Sequence, residues 1–433
     1  MCKRLKMLFL PTFPSIKRQR IGSNSFSNTH HTRLFLPKLT IWRGNTKMVY
    51  IPTTYHILPS FCHFYASSSY LCACKAPETT TMTKYKEYGY DIQNGRAIIP
   101  EWATEIEVEA FMNCEELKSI TIPPSVTKIW SRAFSGCSSL TSISIPPSVT
   151  EIGNWAFSRC KSLTSISIPE SVTEIGDYAF NGCKSLTSIT IPPSVTEIGI
   201  SAFSGCSSLT SITVSKDNKV FDSREDCDAI IHTESNTLIS GCKNTIIPPS
   251  VTKIGVDAFY GCSSLTSITI PESVTKIGGG AFARCSSLTN ITIPSSVTEI
   301  GGASFAGCSS LTSITIPPSV TEIGLWVFLG CSSLTSITIP PSVTEIDGWA
   351  AFNGCSSLTS ISVSKDNKVY DSRQDCNAII HTESNTLIRG CKNTIIPPSV
   401  TKIGSSAFGG CSSLTSITIP ESYNPQNEAF RLF

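Results

Sequence analysis

The sequence contains little charge and no long run of apolar residues. Only 15% of its 433 residues are charged, although 40% are hydrophobic, and no apolar stretch approaches the roughly 20 residues that a membrane-spanning helix needs. We therefore expect no transmembrane segment. Residues 85–433 carry twenty-two Lys and Arg against thirty-one Asp and Glu, so this part of the chain lacks the basic surface that nucleic-acid binding requires. Nucleic acid is not an expected partner.

Motifs for catalysis and metal binding are also missing. No phosphate-binding glycine loop, zinc signature or hydrolase elbow occurs. His232 and His381 are the only histidines after residue 84, and each follows a cysteine, Cys227 or Cys376, by five residues. A Cys–His nucleophile pair would also need an ordered base and a cleft, so a surface histidine is favoured.

The densest acidic run also lacks a binding signature. It consists of Asp217, Asp222, Glu225, Asp226 and Asp228. Calcium prefers such oxygen ligands, but the D-x-D-x-D-G spacing of a calcium loop is absent, and a solvated loop is favoured. We expect no enzyme activity, no metal and no cofactor.

An internal repeat of 23 residues takes up most of the chain. It is marked by cysteines at a constant spacing: Cys114, Cys137, Cys160, Cys183 and Cys206, then Cys262, Cys285, Cys308 and Cys331. A fixed period in the twenties is typical of a solenoid, in which each coil buries its apolar side chains against its neighbours.

Each unit predicts two short extended segments and a tight turn. Alternation in the stretch from Leu140 to Ile145 predicts a strand that pairs with its copies, and Pro146 ends it because proline has no amide donor. A second apolar segment follows, and Ala156-Phe157 begins the turn. The predicted core columns are represented by Phe134, Cys137, Leu140, Ile143, Ile145, Phe157 and Cys160.

The repeat spelling I-P-x-S-V-T-x-I-G-x-x-A-F-x-x-C-x-S-L-T-S-I-T-I resembles the cysteine-bearing leucine-rich repeats of the BspA-like family of bacterial and protist surface proteins. The resemblance covers Pro100 to Pro420. It implies a leucine-rich repeat solenoid, with a parallel strand ladder, short second strands and turns in each coil, and a role as an adhesin or interaction scaffold at a cell surface. Ser148 stands where the commonest leucine-rich pattern has asparagine, so an asparagine ladder is not expected.

The nineteen cysteines include eleven that occur once per coil, directly after the phenylalanine turn. A small apolar side chain in a buried column is the favoured interpretation. Disulfides or a metal remain the alternative, although no C-x-x-C pair or histidine accompanies these positions.

Residues 1–84 do not follow the repeat and carry twelve Lys and Arg but a single acid. One alternative is a secretory signal that starts at Lys3 and is cut short by Pro11, and a second is an organelle-type leader. Disorder or a mis-assigned start, with translation beginning at Met82, is favoured. The stretch Leu71–Cys74 is close to a lipoprotein box but lies far from Met1.

The remaining boundaries follow from breaks in the period. Residues 85–99 predict a capping hairpin, because Asn94-Gly95 is a strong two-residue turn signal. Residues 100–420 form the repeat array, and two enlarged 33-residue coils, 215–247 and 364–396, carry the same hairpin spelling with four substitutions. We expect each hairpin to bulge from one flank outside the stack, and Thr245-Ile246-Ile247 to resume the strand column.

The array therefore predicts thirteen stacked coils, eleven regular and two enlarged, in a rod or arc of roughly 60 Å at the usual strand spacing. Residues 421–433 form a tail with no capping pattern. An uncovered terminal coil would expose unpaired strand groups, so self-association through the C-terminal coil is expected.

Two surfaces are candidates for partner binding. The outward strand positions, Thr141, Ser142 and Ser144, repeat as hydroxyls in almost every coil. The turns carry the individuality of the coils, above all the aromatic residues Trp155, Tyr178, Tyr260, Trp326 and Trp349, which either anchor an interface or pack between adjacent coils.

These surfaces support two hypotheses of function. The first is a non-enzymatic adhesin-like scaffold that binds a protein or glycan on a host or neighbouring cell through many weak contacts. The second is a structural or self-assembling solenoid, or an interaction scaffold inside the cell.

Overall fold

The computed structural model describes residues 39–43, 46–50, 84–347, 350–412 and 414–421, and of residues 39–43, 46–50, 84 and 87 it describes the backbone alone. Trp349 and residues 422–433 thus lie outside the described residues. The first elements are β1 (Leu39–Arg43), β2 (Thr46–Tyr50), the single turn α1 (Lys84–Glu87), β3 (Asp91–Gln93) and β4 (Arg96–Ile98).

Residues 91–98 form a hairpin at the start of the repeat array. Strands β3 and β4 are antiparallel, and Asn94 and Gly95 both have positive φ angles, as a tight hairpin turn requires. The inner strand β4 then pairs in parallel with the first coil. The cap thus covers one end of the ladder.

Two strands recur in most regular coils, although the coil between Ile254 and Lys276 has only an isolated bridge at Thr269 in place of its long strand. The long strands lie on the Thr/Ser surface, and the short strands carry the Glu/Lys-Ile pair. In chain order the first block contains β5 (Glu105–Ile106), β6 (Ser119–Thr121), β7 (Lys128–Ile129), β8 (Ser142–Ser144), β9 (Glu151–Ile152), β10 (Ser165–Ser167), β11 (Glu174–Ile175), β12 (Ser188–Ile191), β13 (Glu197–Ile198) and β14 (Ser211–Val214).

The first enlarged coil and the second block follow. The enlarged coil contains β15 (Phe221–Asp222), a 3-10 turn (Arg224–Asp226), β16 (Ala229–His232) and β17 (Thr237–Gly241). The block contains β18 (Lys253–Ile254), β19 (Lys276–Ile277), β20 (Asn290–Thr292), β21 (Glu299–Ile300), β22 (Ser313–Thr315), β23 (Glu322–Ile323), β24 (Ser336–Ile339), β25 (Glu345–Ile346) and β26 (Ser360–Val363).

The second enlarged coil repeats the first one. It contains β27 (Tyr370–Asp371), a 3-10 turn (Arg373–Asp375), β28 (Ala378–His381) and β29 (Thr386–Gly390), and the last coil contains β30 (Lys402–Ile403) and β31 (Ser416–Ile419). Between regular coils the strands pair in parallel, with Ile143 opposite Ile166 and Ile152 opposite Ile175. The predicted leucine-rich repeat solenoid with a parallel ladder is therefore confirmed.

The core consists of the predicted columns. Ile143 and Ile145 point inward while Ser142 and Ser144 are exposed, as the two-residue alternation of a strand requires. Successive Phe rings stack nearly parallel, with centroids 5.3 Å apart from Phe111 to Phe134 and again from Phe134 to Phe157. Cys137, Cys160 and Leu140 are fully buried beside this stack.

A serine ladder takes the place of the asparagine ladder that is common in other leucine-rich repeats. Ser148 Oγ donates to the carbonyl of Val126 in the preceding coil at 2.6 Å, and Ser171 does the same to Val149. In the two enlarged coils a buried asparagine takes this role. Asn218 Nδ2 donates to the carbonyls of both Pro192 and Val195, at 2.8 and 2.9 Å.

The enlarged coils do not bulge outside the stack, so that expectation is wrong. Strands β16 and β17 form an antiparallel hairpin, and β17 takes a place in the short-strand ladder by pairing in parallel with β18. Ile230 packs against the core before the hairpin and Ile231 against the core after it. The hairpin is an internal layer because alternate residues of a strand face opposite sides.

The strand expected at residues 245–247 does not form. The Ile246 side chain is exposed there, and its amide donates to the carbonyl of Cys227, a residue outside the strands.

The layer formed by the hairpin does not extend to the side of the solenoid where the turns with the stacked phenylalanines lie, which we call the Phe side. There the amide of Gly205 donates directly to the carbonyl of Tyr260 at 2.7 Å, which skips the enlarged coil. The glycines allow this approach, since a Cβ on Gly261 would lie 2.8 Å from the Cα of Gly205. The solenoid thus makes about twelve turns instead of thirteen uniform layers, and each enlarged coil acts as a wedge that separates its neighbours on one side only.

The last coil is covered by a segment from the start of the chain. Strand β1 pairs in parallel with β31, and β2 pairs antiparallel with β1. The edge of β31 is therefore paired, in contrast to the open end that the sequence predicts. Residues 39–50 also contain two strands where a non-repeat, disordered segment is expected, and the tail after residue 421 lies outside the described residues.

Candidate interaction surfaces

The hydroxyl surface of the long strands is exposed, but its threonines are largely bonded within the solenoid. Thr141 Oγ1 donates to the carbonyl of Lys118, and Thr164 Oγ1 donates to that of Thr141, at 3.4 and 3.3 Å. Each threonine thus repeats a bond to the coil before it. Ser142 and Ser144 are exposed, as is Thr315 at the Ser144 position of a later coil, so these strand hydroxyls are the available hydrogen-bond donors of the surface.

Three exposed isoleucines interrupt this hydroxyl surface, and none was among the predicted site residues: Ile98 of the cap, which lies opposite Thr121 and is 61% exposed, and one in each enlarged coil. Ile246 is 76% exposed and Ile395 is 72% exposed. Each occupies the position before the last isoleucine of the strand segment, where regular coils have Ser144 or its equivalents. Each enlarged coil therefore places one apolar side chain on this largely polar surface, and the duplication of these coils places it there twice within the repeat array.

The aromatic residues Trp155 and Tyr178 form part of a side-chain stack along one edge. Their rings lie parallel with centroids 5.2 Å apart, and the guanidinium of Arg132 covers the other face of Trp155 at 5.2 Å. Arg132 also pairs with Glu109 at 3.0 Å. Both faces of Trp155 are occupied, so packing between coils explains this tryptophan, and only its edge is available to a partner.

This stack depends on an unusual backbone conformation. The residue before Ala-Phe, or its equivalent, has a positive φ angle in most coils, including Arg132, Trp155 and Tyr178, although residues other than glycine rarely adopt this conformation. The conformation aligns these side chains along the edge. Tyr260 and Trp326 are half-buried, and Arg284 covers the ring of Tyr260.

The short strands carry a column of charge. Glu151, Glu174 and Glu197 lie in register on neighbouring strands, and Lys128 pairs with the first of them at 2.9 Å. Burial and then the flanking glutamates raise the pKa of Glu174 above its ordinary value. Like charges opposite each other on neighbouring strands are unfavourable. The three glutamates therefore form a negatively charged strip whose charges repel one another.

The cysteine and histidine of the enlarged coil do not form a nucleophile pair. The Cys227 thiol is buried and points to the carbonyl of Ala229, whereas His232 Nδ1 contacts Ser235 Oγ at 3.0 Å. Burial raises the pKa of Cys227 to about 11, so the thiol is protonated at neutral pH.

The acidic run does not form a metal site either. Asp222 is paired with Arg224 at 2.6 Å. Within the described residues no group of three or more potential ligands is close enough to hold a metal.

All fifteen cysteines of the described region are free and buried. Where one regular coil follows another, the thiol donates to the carbonyl of a phenylalanine in the preceding coil, as Cys160 does to Phe134 at 3.2 Å, whereas Cys262 and Cys411 donate to glycine carbonyls of the enlarged coils. Burial raises the pKa of Cys308 to about 12. The interpretation of these residues as buried thiols is therefore confirmed, and the structure adds a hydrogen bond that the sequence pattern does not show.

A buried arginine is a further feature that the sequence pattern does not predict. Arg389 is fully buried and replaces Ser240 of the first enlarged coil. Its Nη2 donates to the carbonyls of Phe352 and Gly409, both at 2.8 Å, while its Nε has no acceptor. The two enlarged coils therefore differ internally although their sequences are nearly identical.

No helix in the described part of the chain is long and apolar enough to cross a membrane. The fold, the buried columns and the exposed ladder define a leucine-rich repeat solenoid. The family model for the BspA type leucine-rich repeat region matches in six copies, over residues 104–225, 239–359 and 383–431. The chain belongs to this family, and the resemblance in its repeat spelling is confirmed.

Solved structures support the same assignment. A leucine-rich cell surface protein from Faecalibacterium prausnitzii is 36% identical, with a TM-score of 0.55, and the match covers 66% of this chain and 81% of that protein. A leucine-rich repeat protein from Eubacterium ventriosum has 22% identity, 78% and 94% coverage and a TM-score of 0.52. The pneumococcal vaccine antigen PcpA has 20% identity, 75% and 79% coverage and a TM-score of 0.50. These last two show the fold alone. No curated protein matches the sequence.

Proposed function

We propose that this protein is a non-enzymatic binding scaffold at a cell surface, which attaches to a protein on a host or neighbouring cell through several contacts at once. The surface location is supported by the family and by the cell surface protein of Faecalibacterium prausnitzii. The observation that carries the proposal is the duplicated exposed isoleucine, Ile246 and Ile395, on the hydroxyl surface.

The spacing of these two isoleucines favours a multivalent contact. Six coils separate them, which at the usual strand spacing corresponds to roughly 30 Å. Each isoleucine alone contributes a small apolar contact, but two linked contacts raise the apparent affinity by about 10²–10⁴ when both bind the same target. Weak individual contacts on a rigid spacer are therefore sufficient for adhesion.

A protein partner is favoured over a glycan. Aromatic rings bind sugars through a free face, but the faces of Trp155 are covered by Arg132 and Tyr178, and Arg284 covers the ring of Tyr260. Trp102 is 67% exposed but lies on the turn after β4, and the exposed features of the hydroxyl surface itself are serine and threonine hydroxyls and single isoleucines. These suit the hydrogen bonds and small apolar contacts of a protein surface.

Adhesion of beads coated with the full chain to epithelial cells tests this proposal. We expect Ile246→Ser and Ile395→Ser each to weaken adhesion and the double variant to abolish it, because avidity is lost. Ile200→Ser is the matched control, since Ile200 is also exposed but lies on a turn. Pretreating the cells with protease should remove adhesion, and periodate should not.

Three results would overturn the proposal. They are an absence of adhesion by the unmodified chain, equal effects of the control and of the two test variants, and a loss of adhesion after periodate but not after protease. The last result would assign a glycan as the partner instead.

A further inference from the structure

The first enlarged coil leaves an open cleft of about 450 Å³ between β13 and the hairpin that follows it. Its lining includes Glu174, Asp177, Glu197, Ile198, Phe221 and His232. The volume lies within the usual range of ligand sites. The cleft arises because the hairpin separates the coils on this side, while on the Phe side they remain in direct contact.

One wall of the cleft is a free strand edge. Strand β13 is the last strand of its five-stranded sheet. In the preceding coils the carbonyls of Ile152 and Ile175 accept hydrogen bonds from glycine amides of the next coil, at 2.8 and 2.7 Å. The equivalent carbonyl of Ile198 has no such donor within the described residues. An unpaired edge of this kind is a template for an added strand.

The second enlarged coil differs at this edge by one hydroxyl group. Tyr370 replaces Phe221 there and lies close to Ile346, the residue equivalent to Ile198. Both aromatic rings are buried. A hydroxyl group therefore stands beside the strand edge in the second enlarged coil, whereas Phe221 places none beside the edge of β13.

The charge of the cleft indicates what could bind. Its lining contains the carboxylates of Glu174, Asp177 and Glu197 and no lysine or arginine. Ile198 and Phe221 provide an apolar floor. Successive side chains of an added strand point in opposite directions. A segment that alternates apolar and basic residues would therefore place the former on the floor and the latter beside the carboxylates.

We propose that this cleft binds an extended segment of a partner protein, with alternating apolar and basic residues, as an added strand on the edge of β13. The inference rests on the proposed function, because it names a partner chemistry for the scaffold. It assigns one such site to the first enlarged coil, where the aromatic residue beside the edge lacks the hydroxyl group that Tyr370 has in the second.

Fluorescence anisotropy with a labelled peptide that alternates valine and lysine tests this inference on the full chain. We expect one peptide per chain, an affinity that falls with added salt, and no binding of the valine–glutamate peptide or of a backbone-methylated lysine peptide. Phe221→Tyr should lower the affinity at least tenfold. The reverse exchange, Tyr370→Phe, is the matched variant and should raise the stoichiometry to two.

Both exchanges already occur between the two coils, so both variants are expected to fold, which circular dichroism checks. Unchanged peptide binding by Phe221→Tyr, equal binding of the glutamate peptide, or no binding of the lysine peptide overturns the inference. If bead adhesion still depends on Ile246 and Ile395 in that case, the proposed function stands and the cleft alone is rejected. If adhesion is lost while peptide binding is intact, the peptide-binding cleft stands and the proposed function is rejected.

Discussion

Replacement of Arg389 by serine should stabilise the last coil. The guanidinium is fully buried, its Nε has no acceptor, and no carboxylate bonds to it among the described residues. A buried donor without a partner costs about 1–3 kcal/mol, and the desolvation of an unpaired charge adds several more. Against this, the three methylene groups of the side chain contribute about 2.4 kcal/mol of burial at about 0.8 kcal/mol each.

The first enlarged coil shows how the carbonyls that Arg389 now binds can be satisfied. In that coil Ser240 stands in place of Arg389. The carbonyl of Tyr260, which is equivalent to that of Gly409, accepts a hydrogen bond from the amide of Gly205. In Arg389→Ser the amide of Gly354 can make the equivalent bond. We therefore expect a net gain of about 1–3 kcal/mol, the difference between the cost of the buried charge and the lost burial.

Hydrogen exchange measured by mass spectrometry on peptides from residues 397–421 provides the assay, because contacts in a solenoid are local and the effect should be confined to this end. Slower exchange there in Arg389→Ser, with no change in residues 100–200, is expected. Ser240→Arg is the matched control and should accelerate exchange around the first enlarged coil. Faster exchange at the C-terminal end of Arg389→Ser would refute the reasoning.

Three further predictions concern other parts of the chain. Cys160→Ser should cost only about 1 kcal/mol, because the new hydroxyl can donate to the carbonyl of Phe134; Cys160→Ala removes this hydrogen bond and leaves a cavity in place of the sulfur, although the amide of Cys137 still donates to the same carbonyl, and it should cost more in urea unfolding. Because burial and its neighbours raise the pKa of Glu174, its charged form opposes folding and stability falls as the pH rises through the folded-state pKa. Glu174→Gln should therefore raise the melting temperature at about pH 7 and leave it unchanged at about pH 2, where both states are protonated. Deleting residues 1–83 removes β1 from the edge of β31 and should produce concentration-dependent association in sedimentation; deleting only residues 1–38 should not, and monomers in both cases would argue against the pairing.

The features that recur with the period could be predicted from the sequence. The Phe, Cys, Leu and Ile columns, the inward positions Ile143 and Ile145, the hairpin at Asn94-Gly95 and the buried thiols all follow from alternation, turn chemistry and a constant 23-residue spacing. Each coil contacts its immediate neighbours, so a local pattern contains nearly all the information needed to place these residues.

The tertiary structure decided what breaks the period. Whether the hairpin at residues 229–241 lies outside the stack or within it depends on which core each face of the strand covers, and the alternation of Ile230 and Ile231 is compatible with both. The stacking of Trp155 between Arg132 and Tyr178 depends on a positive φ angle at each of them, and these residue types do not indicate such an angle in the sequence. Other non-periodic features depend on contacts between segments 20 to 370 residues apart. They are the cleft beside β13, the burial of Arg389 and the pairing of β1 with β31. Such contacts form because unpaired strand edges and apolar surfaces are stabilised by any partner that the chain can bring to them. Sequence periodicity determines the regular coil, whereas non-periodic contacts between distant segments determine where the solenoid is wedged, capped and open to a partner.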